Sequence, residues 1–237
     1  NKKEVKEKPI LIKASNRVNE FIKDATKIEE VSIGCNSKVY KIRKKSKIYY
    51  LKIANHLSRE SIKLEYLKGK VNIPEKVFYE KYNGMSYLLT REVKGSMLCS
   101  DYYLEHKDEG IDILVEAFNA LYNIDYTDCM IDETIDTKIK RIEENFNNIK
   151  EKDINPIYIE RFHTKDAMLK YIKGNKPKQI IGFTHGDMSL PNIMADNSHF
   201  SGFIDIEDCG LCDIYYDLVL CEKSIERNYG KEYIDIF

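Results

Sequence analysis

Apolar positions change their spacing part-way along the chain. Val18, Phe21 and Ile22 share one face of a short helix over Arg17 to Ala25. Thr26 to Ile33 then opens a run of strands, in which Ser32 to Tyr40 reads as strand, turn, strand and Ile48 to Ile53 as a further strand. Ser58 is placed to cap a helix through Lys70, with Ile62, Tyr66 and Leu67 as its apolar stripe, and Ile73-Pro74 ends it. Lys76 to Tyr82 and Met85 to Glu92 flank Asn83-Gly84, a hairpin signal because both residues tolerate positive φ.

From Glu109 the spacing becomes helical. Ile111, Leu114, Val115, Phe118, Leu121 and Tyr122 form one stripe; Ile135, Ile139, Ile142, Phe146 and Ile149 form another. Both stripes are expected to be core. Asp166 to Lys173 predicts a shorter helix, and Asn175-Lys176-Pro177 a break before the next strand.

The candidate chemistry is concentrated from Phe183 to Asp205. His185-Gly186-Asp187 precedes Asn192 by a tight loop. Ile193 to Ala195 reads as a strand, Asp196-Asn197-Ser198 as a turn, and Phe200 to Ile204 as the returning strand that delivers Asp205. Such a hairpin brings two carboxylates and an amide into one site. Phosphoryl transfer needs that set: a carboxylate to orient and deprotonate the attacking hydroxyl, and an amide and a second carboxylate to hold Mg²⁺. Gly186 permits unusual backbone angles, and His185 can lock the loop by hydrogen bonds.

His-Gly-Asp-x-x-x-x-Asn followed by Gly-Phe-Ile-Asp resembles the aminoglycoside phosphotransferases, most of all the 3′-hydroxyl class. The resemblance implies an α+β, protein-kinase-like bilobed fold. Residues 1–94 would form a small antiparallel β-sheet N-lobe that binds nucleotide, and residues 95–237 a mainly helical C-lobe for catalysis and substrate. It implies Asp187 as catalytic base and Asn192 and Asp205 as Mg²⁺ ligands. ATP or GTP would meet Lys52 with its partner Glu60, the turn at Gly34, Asn36 and Ser37, Tyr50 stacked on the base, and backbone groups of Glu92 and Val93. His185 and Asp217 would support the loop. Asp213, one helical turn before Asp217, reads equally as a helix N-terminal acid.

The same resemblance sets expectations for the acceptor. A polycationic aminoglycoside calls for carboxylates. The stretch before the catalytic strand offers Glu160, the helix after Asp217 offers Glu222 and Glu226, and Asp208 stands where the 3′ class carries an Arg. Arg227-Asn228 falls where two adjacent acids are typical. The expected acceptor is an aminoglycoside or another hydroxylated small molecule, with a nucleotide-binding protein that transfers nothing as the contrasting possibility. The four residues Lys52, Asp187, Asn192 and Asp205 together argue for catalysis.

Composition narrows the partners. At 237 residues, with 43% hydrophobic and 32% charged residues and a net charge of −1, the chain can bury one large core or two small ones. The charge balance argues against nucleic acid, and no apolar run reaches membrane-spanning length. Six cysteines without a regular framework suit reduced thiols in a cytoplasmic protein; Cys209-x-x-Cys212 lacks the second pair that zinc would need. A monomer or weak dimer is expected. The chain starts at Asn1 without Met and stops at Phe237 inside a helical pattern, so a further C-terminal substrate-binding segment is also expected.

Overall fold

The computed structural model describes residues 14–31 and 37–237. Gly34 and Asn36 of the proposed nucleotide turn lie outside these residues. A short helix, α1 (Asn16–Ile22), is capped by Ser15 and packs Val18 and Ile22 inward. Five antiparallel strands follow: β1 (Lys27–Glu30), β2 (Lys38–Lys44), β3 (Lys47–Ala54), β4 (Lys76–Tyr82) and β5 (Met85–Arg91), in the order β1-β2-β3-β5-β4. Between β3 and β4 runs α2 (Ser58–Leu67).

Alternation along β3 decides what the sheet offers on each side. Leu51 and Ile53 enter a smaller core with Ile42, Phe78 and Leu89 on the α1 side. Tyr50 and Lys52, both half-buried, therefore face the other way. Lys52 is in register with Val39 on one side and Leu88 on the other. Leu88 belongs to a larger core that also takes in α2 and most of the rest of the chain. The β4–β5 turn is the Asn83-Gly84 hairpin, with φ of 49° and 77°.

After β5 the chain crosses through β6 (Ser96–Met97) into helices α3 (Asp101–Glu105), α4 (Lys107–Tyr122), α5 (Ile135–Glu144), α6 (Pro156–Phe162) and α7 (Lys165–Gly174). Two small sheets flank the motif residues: β7 (Ile181–Thr184) pairs with β10 (Gly210–Asp213), and β6, β8 (Ile193–Asp196) and β9 (His199–Phe203) form a three-stranded sheet. Helices α8 (Ile214–Asn228) and α9 (Glu232–Ile236) complete the described chain. No helix among the described residues is long and apolar enough to cross a membrane.

Four expectations change. Leu57, not Ser58, occupies the N-cap position of α2, with no side-chain cap, and the helix ends at Leu67. Ile62 is 63% exposed, whereas Glu60, Ser61 and Lys63 are buried. Ion pairing on the inner face of α2 displaces the apolar stripe that hydrophobic spacing predicts. In α4, Ile111, Leu114, Phe118 and Leu121 are buried but Val115 and Tyr122 are exposed. In the second stripe only Ile139 is buried, and Ile135, Ile142, Phe146 and Ile149 are half-buried.

Candidate active site

The loop after β7 is held by its own backbone groups. Asp217, in the first turn of α8, is buried and accepts from the N–H groups of His185 (2.6 Å) and Gly186 (2.8 Å). Burial pushes the Asp217 carboxyl up, against the pull of His185 and these two N–H donors. Asp213 caps the same helix, accepting from Tyr215 N–H at 3.3 Å. The His185 ring bridges two strands of the site. Its Nε2 lies 3.0 Å from the Ile204 carbonyl and its Nδ1 accepts from Asp187 N–H at 3.3 Å, which requires the proton on Nε2. Gly186 sits at φ 82°, and a Cβ there would lie 2.2 Å from the Asp208 carbonyl oxygen. The loop and the segment after Asp205 thus touch backbone to backbone.

Asn192 ends a single 3₁₀ turn, Leu190–Asn192, started by Pro191. Its Nδ2 donates to the Asp187 carboxylate at 2.8 Å and to the Asp187 carbonyl at 2.9 Å. The turn is tied down by Leu190 N–H donating to Ser224 Oγ at 3.0 Å. From Asn192 the chain enters β8, turns through Asn197 and Ser198 at φ of 50° and 63°, and returns along β9. That pair of positive angles gives the tight hairpin twist. Gly202 has no room for a side chain, since a Cβ would meet the Asn72 carbonyl at 2.6 Å and Val93 at 2.9 Å. Asn72 also accepts from Phe203 N–H at 3.0 Å, pinning β9 to the connection after α2.

Asp205 follows β9 in a left-handed backbone conformation, φ 55°, which a short polar side chain tolerates. Its carboxylate lies 3.5 Å from Lys52 Nζ, and Lys52 in turn pairs with Glu60 at 2.8 Å. Burial works against the Lys52 charge, yet the Glu60 and Asp205 carboxylates outweigh it and hold the ammonium protonated beyond its ordinary range. Glu60 bears the other side of that balance, its carboxyl pushed up by burial against the pull of Lys52. The Asn192 carbonyl accepts from Ile204 N–H at 2.9 Å, so the Asp187–Asn192 pair and the Lys52–Glu60–Asp205 group are joined through adjacent backbone. Asn192 and Asp205 offer amide and carboxylate oxygens, the hard ligands that Mg²⁺ takes.

The remaining candidates are spread around this set. Tyr50 is half-buried on the Lys52 face of β3, with Lys41 Nζ 5.9 Å from its ring centre. Glu92 donates its N–H to the Ile48 carbonyl at 3.1 Å, and Val93 is buried against Gly202. Ser37 is half-buried just before β2. Asp208 is exposed beside Gly186. Glu160 on α6 and Glu226 on α8 are exposed and form no ion pair among the described residues.

Several participants escaped the sequence reading. Tyr216 lies near Asp208 and Asp187; burial pushes its phenol up, and the Asp208 and Asp187 charges push it further. Lys138 stands 4.9 Å over its ring. The Tyr-Asp pair at 216–217 was visible, but a Tyr in a helix start carries no signal beyond packing. Asn72, in the break before Pro74, carries no local sequence signal for its contacts with β9. The buried cluster of Lys63 and Glu133 left no apolar pattern to follow.

Known proteins fit this geometry. The chain is 28% identical over 218 residues to an aminoglycoside 3′-phosphotransferase of Enterococcus faecalis, covering 85% of this chain and 81% of that protein. A solved aminoglycoside-3′-phosphotransferase of type VIII shares the fold at a TM-score of 0.73 and 19% identity, over 88% of this chain and 80% of that one. A thermostable aminoglycoside phosphotransferase mutant, solved in ternary complex with ADP and hygromycin B, does so at a TM-score of 0.61 and 12% identity, over 88% and 76%. The profile of the phosphotransferase enzyme family matches residues 27–237, and the chain belongs to that family.

Proposed function

We propose that this chain is an aminoglycoside O-phosphotransferase of the 3′ type, moving the γ-phosphate of ATP or GTP to a drug hydroxyl. The observation that carries the reading is the meeting of Lys52 with Asp205 at 3.5 Å while Asn192 holds Asp187 at 2.8 Å. One side of that set suits a triphosphate and the other an alcohol. The relatives' names supply the acceptor class, and the ADP complex of a structural neighbour supports a nucleotide co-substrate.

In this reading residues 1–94 and 95–237 form two lobes with the nucleotide between them. Lys52, kept charged by its two carboxylates, meets the phosphates. Tyr50 stacks on the base, and the Glu92 carbonyl, whose own N–H is taken by Ile48, meets the base edge. Asn192 Oδ1 and Asp205 would hold Mg²⁺, which would supply positive charge to the transferring phosphoryl group. Asp187 accepts the proton of the attacking hydroxyl, aligned by the Asn192 amide. Positioning and charge neutralisation dominate such catalysis. Asp208 and Asp187 give the acceptor's ammonium groups carboxylates beside the loop.

The test is a panel of aminoglycosides and unrelated hydroxylated amines with ATP and GTP, reading nucleoside diphosphate release and the mass of the acceptor. Phosphorylated aminoglycoside supports the proposal. Turnover confined to unrelated alcohols, or none despite tight Mg²⁺-nucleotide binding, would overturn it.

A further inference from the structure

A buried ionic node lies behind the proposed nucleotide site. Lys63, one helical turn after Glu60 on α2, has a side chain only 3% exposed. Its ammonium donates to Glu133 at 2.8 Å and also to the backbone carbonyl of Glu207, two residues after Asp205. Glu133, 2% exposed in its side chain, also takes Arg59 from α2 at 2.6 Å and Arg141 from α5. Burial pushes the Glu133 carboxyl up, but hydrogen bonds from Arg141 and Lys63 and the surrounding positive charge outweigh it and hold it at about 2.

Glu133 is itself fixed. Its N–H donates to the Leu211 carbonyl at 2.9 Å, and Leu211 N–H donates to Ile131 at 2.8 Å, so residues 131–133 run beside β10. The Glu133 Cγ fills the space that a Cβ on Gly210 would need. Strand β10 pairs with β7, which leads into the His185 loop. One ammonium thus ties together the helix that carries Glu60, the segment that follows Asp205, and, through Glu133, the sheet that leads into the Asp187 loop.

A charge buried this deeply is a poor source of stability, since desolvation offsets most of its attraction. Apolar side chains at both positions 63 and 133 would pack there with less penalty. What the ammonium supplies and an apolar side chain cannot is a directional bond to the Glu207 carbonyl. We infer that Lys63 is a positioning residue for the Mg²⁺-nucleotide: it sets the separation of Lys52 from Asp205 by holding α2 and the Asp205 segment at once. This rests on the nucleotide-site reading above.

The test compares wild type, Lys63→Met and the double variant Lys63→Met/Glu133→Gln. Removing Lys63 alone leaves Glu133 underpartnered and lowers the thermal midpoint; the double variant removes that charge, and Arg59 and Arg141 are exposed enough to solvate. Supporting carbonyls and carboxylates around metal sites typically change affinity by about 10–100-fold when lost. Mg²⁺-ADP binding by calorimetry should therefore weaken by about tenfold or more in both variants. The double variant should regain the midpoint without regaining affinity. Amide exchange over residues 205–209 should quicken, and the nucleotide KM should rise while the acceptor KM holds. Wild-type affinity for Mg²⁺-ADP in the folded double variant would overturn the inference. Failure of wild type itself to bind Mg²⁺-ADP would instead overturn the site reading.

Discussion

The side-chain amide of Asn192 spans Asp187, donating to its carboxylate at 2.8 Å and its carbonyl at 2.9 Å. In the proposed function one side chain would therefore orient the base and offer its remaining oxygen to Mg²⁺.

Replacing Asn192 with Ala removes both functions. We predict a fall in kcat of about 10–100-fold with a raised Mg²⁺ requirement, partly recovered at high Mg²⁺. Steady-state rates across a Mg²⁺ titration check this. An unchanged Mg²⁺ dependence would remove Asn192 from the metal site.

Gly186 and Gly84 share a positive φ, 82° and 77°, but differ in surroundings. A Cβ at Gly84 meets nothing within 4 Å, whereas at Gly186 it meets backbone 2.2 Å away. Gly84→Ala should cost only the backbone strain, about 1–2 kcal/mol. Gly186→Ala should cost clearly more and also lower activity, because Asp208 or the His185 loop must move. Denaturant unfolding of both variants decides it, and equal losses would contradict the packing.

Glu133 predicts a pH signature. Its folded pKa, about 2, lies below the ordinary 4.5 of a glutamate. A depressed carboxyl contributes stability above its unfolded value and loses it as pH falls. The stability gap between wild type and Glu133→Gln should therefore be about 3 kcal/mol at neutral pH. It should shrink from about pH 4.5 downward and nearly vanish by about pH 2. Urea unfolding across that range measures it; a gap that stays constant would show that the ion pairs are not its source.

How far the chain could be read from sequence depended on the kind of force involved. The Asn83-Gly84 hairpin and the β8–β9 turn were legible because positive φ restricts residue choice. The loop that holds Asp187 and Asn192 and the hairpin that leads to Asp205 were legible because turn residues and short apolar runs mark them. Helix α2 was misread at Ile62 because hydrophobic periodicity assumes an apolar inner face, and this helix turns Glu60 and Lys63 inward. Glu133, the partner that makes the Lys63 charge stable there, lies 70 residues away. No local pattern reports such distant neutralisation. Half-buried Ile135 and Ile142 similarly reflect how few elements cover α5, which depends on tertiary packing.

The central claim is that Asp187 takes the proton of the attacking hydroxyl while the nucleotide is held by other groups. Asp187→Ala, assayed with an aminoglycoside acceptor for both nucleoside diphosphate release and Mg²⁺-nucleotide binding, tests it most directly. The account predicts a loss of turnover of roughly 10²–10⁴-fold with binding nearly intact. Turnover near that of wild type would contradict it.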